Sequence, residues 1–82
     1  MTREQIFTDI NDERAYQNTK WGTEFDKKNT ANDWATYIMW YLSKATSEYP
    51  LNQTVFRKNM IKVAALAVAA LELDEVAGRH YD

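Results

Sequence analysis

The chain of 82 residues has no cysteine. Disulfides, thiolate metal sites and cysteine nucleophiles are thereby excluded. Histidine is represented by His80 alone, third from the end, so no Cys/His metal cluster can be assembled either. Glycine occurs only at Gly22 and Gly78 and proline only at Pro50; a glycine-rich phosphate loop is absent, and so is any Ser/His/Asp arrangement. The longest apolar run, Val63 to Leu71, is flanked by Lys62 and Glu72 and falls far short of the roughly 20 residues that cross a bilayer. The opening string MTREQIFTDINDER carries charge throughout and lacks the apolar centre of a secretory signal. A formal net charge of -2 gives no clustered basic face, so non-specific nucleic-acid binding is not expected. These absences together point to a soluble, cytoplasmic protein.

What is present is helical pattern. The few glycines and the single proline divide the chain into three helices, at about 3–19, 32–47 and 53–77, in one domain. The loop at 20–31 and the tail at 78–82 are expected to be irregular. Thr2 can cap the first helix, with Gln5 completing a capping box. Its apolar stripe is narrow: Ile6, Ile10 and Ala15 with Phe7. Lys20 to Ala31 breaks the period, and Gly22 permits a turn there. Trp21 and Phe25 should seek cover, with Trp21 anchoring the loop against the helices.

The second helix starts near Asn32, capped by Thr30 or Asn32, with Asp33 at the positive end of its dipole. Trp34, Tyr37, Ile38, Tyr41, Leu42 and Ala45 repeat at the spacing of a buried face. Met39 and Trp40 make a second apolar flank. In the third helix, Phe56, Met60, Val63, Ala64, Ala67 and Leu71 line one face, and Leu66, Ala69, Ala70 and Leu73 an adjacent one. Every residue between Lys62 and Glu72 is Ala, Val or Leu.

A helix apolar all round is buried all round, and two partner helices from one chain cannot surround it. So short a chain is also marginal as a monomer. Both arguments predict an all-α bundle completed by homo-oligomerisation, with Ala64, Leu66, Ala67, Ala70 and Leu71 at the interface. The plainer alternative leaves the alanine face in water. Glu72, Asp74 and Glu75 oppose the dipole where they stand and would be better placed against Arg or Lys of a neighbouring subunit.

The string Glu13-Arg14, Gln17, Lys20-Trp21-Gly22 resembles the ER-x-x-Q-x-x-K-W-G opening of small MazG-like proteins of phage genomes. The segment Asn32 to Ile38 and the helix Met60 to Glu72 extend the resemblance over most of residues 9 to 73. It implies the all-α nucleoside triphosphate pyrophosphohydrolases, which assemble helices from more than one subunit. In that family Mg²⁺ is held by E-E-x-x-E on one helix and E-x-x-D on the next. A hard divalent cation wants oxygen ligands, and carboxylates at helical spacing put several on one face.

Carried onto this sequence, the resemblance places Trp40, Tyr41 and Lys44 at the three glutamate positions, and Asn59 and Lys62 at the glutamate and aspartate of the second motif. The five carboxylates are gone, and an ammonium repels a metal ion. The implied reading is a non-catalytic, metal-free binding protein in the cytoplasm of a phage's host. Lys44, Lys62 and Asn59, walled by Trp40 and Tyr41, would hold a nucleotide or nucleotide signal; alternatively the protein binds a host protein. A plainer account makes the lysines ordinary solvated side chains and the two aromatics packing residues.

The competing function is an active, Mg²⁺-dependent pyrophosphohydrolase with unconventional ligands such as Asp9 and Glu13. Asp9, Asp12 and Glu13 share one face of the first helix at a spacing that could bind a metal, although surface carboxylates so placed are more often only solvated. Tyr16 and Trp21, beside Arg14 and Lys20, could touch an aromatic ligand, but anchoring is the commoner role of such groups.

Overall fold

The computed structural model describes residues 1–22 and 28–77, with side chains up to Leu73. Phe25, Gly78 and His80, and the side chains of Asp74 and Glu75, lie outside the described residues. The chain forms three helices, α1 (Arg3–Trp21), α2 (Ala31–Ala45) and α3 (Gln53–Ala77), and no strand occurs among the described residues. The all-α architecture expected from the periodicity is the one adopted.

Local chemistry sets the helix ends. Thr2 accepts from the Gln5 backbone N–H at 3.2 Å, and the Thr2 N–H donates to the Gln5 side chain at 2.9 Å, a complete capping box. Thr30 and Asp33 repeat the device at the start of α2, at 3.2 and 3.0 Å. Asn52 opens α3 by accepting from the Val55 N–H at 3.1 Å.

α1 continues through Lys20 and Trp21, residues expected in the loop, and stops at Gly22. There φ is +82°, a value that favours glycine. α2 ends at Ala45 rather than at 47, because Ser47 directs both its N–H and its hydroxyl to the Lys44 carbonyl, at 3.2 and 2.9 Å.

α3 is the central element: α1 and α2 each lie against it, and their backbones do not contact one another. Trp34, Leu66, Ala69 and Leu73 form the core, with Trp21, Tyr37, Ile38, Tyr41 and Ala70 packed around them. The Trp34 and Tyr37 rings meet edge to face, centroids 6.3 Å apart. Trp21 thus does anchor the end of α1, as a helical residue.

Two expectations are corrected by this packing. Leu66 is fully buried inside its own chain and Ala70 packs on the core, so these two expected interface residues face inward. Ala64, Ala67 and Leu71 stay on the opposite side of α3. On α1, Phe7 and Ala15 are exposed, and the side turned inward carries Ile6, Ile10, Glu13 and Gln17. Polar groups therefore occupy the middle of the α1–α3 contact. Among the described residues no helix is long and apolar enough to cross a membrane.

Candidate functional site

The inward polar groups of α1 open a chain of contacts that crosses all three helices. The Gln17 side-chain amide, nearly buried, donates to Glu13 at 3.3 Å. The same Glu13 oxygen faces the Lys62 ammonium of α3 at 3.6 Å. Lys62 lies 5.5 Å from the centroid of Tyr41 on α2. Lys44, one turn beyond, stands 5.8 Å from that ring and 4.7 Å from the centroid of Trp40. Tyr41 is consequently approached by two ammonium groups, each within cation–π range.

Helix geometry produces this grouping. Positions 40, 41 and 44 span one turn of α2, so Trp40 and Lys44 project from the flank of the helix whose buried face carries Tyr41. Lys62 sits on the side of α3 that looks between α1 and α2, where Glu13 reaches it. Four of the five residues expected at a binding site, Trp40, Tyr41, Lys44 and Lys62, are brought together.

Asn59 is the exception. Its side chain is buried and its amide nitrogen donates to the Val55 carbonyl at 2.9 Å, which turns the amide back on its own helix. Buried and turned back on α3, Asn59 is not among the residues that gather round the Tyr41 ring.

The electrostatics of the cluster are uneven. Lys62 is three-quarters covered and already neutralised by Glu13, whereas Lys44 is exposed and makes no ion pair among the described residues. Trp40 is 59% exposed, and half-buried Tyr41 packs against the core. The arrangement is an exposed indole face beside one unneutralised ammonium, with a second ammonium held in reserve by a carboxylate. It suits an anion attached to a flat ring.

The acidic face of α1 goes elsewhere. Asp9, Asp12 and Glu13 border an open groove of about 570 Å³ whose α3 wall carries Arg57 and Lys58. Acids on one wall face bases on the other. Among the described residues no group of three Asp, Glu, His or Cys side chains is arranged to hold a metal ion. A second ion pair, Arg14 to Glu72 at 3.4 Å, ties α1 to the far end of α3.

Glu13 and Gln17 are the members of the array that periodicity did not assign. Their signal was two polar residues, four apart, at inward positions of a helix with a poor apolar stripe. No family model, no curated protein and no solved structure matches the chain.

Proposed function

We propose that the protein is a non-catalytic, oligomeric binding module on a MazG-like helical scaffold of the phage type. Its ligand is an anion bearing an aromatic ring, such as a nucleotide or nucleotide signal. The observation that carries this reading is the double approach of Lys44 and Lys62 to the Tyr41 ring, beside the exposed Trp40. In this reading Trp40 stacks the base, Lys44 meets the phosphate, and Tyr41 fixes the geometry of both. The absence of carboxylates at the positions the resemblance assigns to Mg²⁺ supports binding without turnover. Active pyrophosphohydrolysis through Asp9 and Glu13 gains no support, because Glu13 is committed to Lys62 and Gln17.

Titration with a panel of linear and cyclic nucleotides, followed through Trp40 emission with and without Mg²⁺, tests the reading. Lys44→Ala is expected to weaken binding about tenfold, the loss of one charge-assisted contact. Trp40→Ala is expected to lose on the order of 1–3 kcal/mol of stacking. Panel-wide failure to bind, or a Lys44→Ala variant that binds as the parent does, would overturn the assignment and leave a host protein as the partner. Mg²⁺-dependent release of monophosphate would reinstate the enzyme.

Glu13→Gln distinguishes a working anion site from a fortuitous pair of lysines. Freeing Lys62 is expected to tighten anion binding a few-fold, about 1 kcal/mol. Unchanged affinity in this variant would mean that Lys62 takes no part in binding.

A further inference from the structure

The groove between α1 and α3 is built from matching faces of the two helices. Asp9, Asp12, Glu13 and Tyr16 line one wall, and Thr54, Arg57, Lys58 and Ile61 line the other. Both sets follow the spacing i, i+3, i+4, i+7, which puts each on a single helix face. Glu13 meets Lys62 at 3.6 Å. Trp21, about two turns further along α1, packs on a core whose α3 members, Leu66, Ala69 and Leu73, all lie beyond Lys62. α1 and α3 therefore run in the same direction. Tyr16 and Ile61, the last residues of their walls, share one end of the groove, and the acids and bases precede them on facing sides.

The charges of the two walls do not cancel one another. Glu13 is engaged by Lys62 and Gln17. Asp9, Asp12, Arg57 and Lys58, by contrast, make no ion pair among the described residues. The space between them, about 570 Å³, falls inside the range of roughly 300–1,000 Å³ typical of small-ligand sites.

We propose that this groove is a second binding site, for an α-amino acid with an aromatic or large apolar side chain. The ligand's ammonium lies against Asp9 and Asp12, its carboxylate against Arg57 and Lys58, and its side chain along Tyr16 and Ile61. The site is separate from the Lys44 cluster and does not depend on what that cluster binds.

Charge, length and polarity select this ligand. An ion of one sign would be attracted by one wall and repelled by the other. An ammonium and a carboxylate on the same carbon answer both walls at once, and the Arg57 guanidinium can take the carboxylate through two parallel hydrogen bonds. Two carboxylates opposite two cations also leave the site without net charge, as a zwitterion has none. The walls extend over seven residue steps, about 10 Å of helix rise. That is the span of one amino acid from its charged groups to the tip of its ring, and well short of a docked helix of several turns. At the uncharged end, Tyr16 is 55% exposed and offers a ring face to an aromatic side chain, above half-buried Ile61.

Titration of the protein with L-phenylalanine, followed by NMR, tests the site. Resonances of both walls should shift and saturate, and glycine should bind at least about tenfold more weakly for want of a side chain. N-acetyl-L-phenylalanine and L-phenylalaninamide each lack one charge and should also bind about tenfold more weakly. Pairing variants with probes shows which wall reads which group. Arg57→Ala combined with Lys58→Ala should weaken phenylalanine about tenfold yet barely affect the amide, which has no carboxylate to lose. Asp9→Asn combined with Asp12→Asn should do the same to phenylalanine and barely affect the acetyl compound. Both variants should keep the helical circular dichroism of the parent, because the four side chains lie outside the core. Absence of saturable shifts in the two walls would overturn the site. Blocked derivatives that bind as tightly as phenylalanine would overturn the zwitterion.

Discussion

Trp34→Ala is expected to cost about 3–5 kcal/mol, a large part of the roughly 5–15 kcal/mol that small domains hold in all. The core is thin. Trp34, Leu66 and Leu73 are its bulky buried members, and alanines supply the rest. Removing the indole takes away the wall that Leu66 and Leu73 share and the edge on which the Tyr37 ring rests. α3 cannot close the gap, because Ala65 and Ala69 already bring its backbone close and carry no side chain long enough to fill it. Trp34→Phe should recover roughly half the loss by restoring an aromatic wall of smaller volume. Urea denaturation monitored by circular dichroism checks both variants. A loss below about 1 kcal/mol for Trp34→Ala would mean that the three-helix packing contributes little to stability.

The consequence reaches the site. Tyr41 packs on the same core from the next turns of α2, so the ring that gathers Lys44 and Lys62 is held by Trp34 and its neighbours. Loss of the core should therefore disperse the cluster before any contact to ligand is altered directly.

Periodicity was informative wherever burial alone decides position. The i, i+3, i+4 spacing from Trp34 to Ala45 located the buried face of α2, because a large apolar stripe has one low-energy orientation; Leu42, expected on that face, lies at its edge and is 47% exposed. The capping pairs Thr2–Gln5 and Thr30–Asp33 marked two helix starts through short-range hydrogen bonds that need no tertiary information. α1 was less legible: its inward side holds Glu13 and Gln17, whose burial is stabilised by partners distant in sequence, Lys62 above all. A hydrophobicity pattern cannot register a polar group paired across a fold.

The cluster of Trp40, Tyr41, Lys44 and Lys62 was named through a resemblance, and its coherence in space follows from α2 lying against α3 with Tyr41 inward. Asn59 stands apart from the cluster because its amide nitrogen donates to the Val55 carbonyl of its own helix, a choice that composition does not reveal. On α3 the two apolar faces are equally apolar in sequence, so the pattern could not say which one the chain covers itself.

That ambiguity yields the second large effect. Leu66 and Leu71 are both leucines of the same helix, both expected at an interface, yet Leu66→Asp and Leu71→Asp should behave oppositely. Leu66 is fully buried, and a carboxylate there would have no partner and no water. Desolvating it costs several kcal/mol beyond the lost packing, so the chain should not fold, and its helical signal should vanish. Leu71 is exposed in the single chain, where a surface substitution moves stability by only about 0.5 kcal/mol. Leu71→Asp should therefore keep the full helical signal and its urea midpoint at concentrations where the chain is single. Where chains associate through that face, the same substitution sets a charge into the contact, and the oligomer mass should be lost. Circular dichroism and sedimentation on the two variants separate these effects. If both unfold, the open side of α3 contributes to the fold of the single chain; if both fold, the assignment of Leu66 to the core is wrong. Only the split result, Leu66→Asp unfolded and Leu71→Asp folded but single, fits a helix that spends one apolar face on its own core and offers the other to a partner chain.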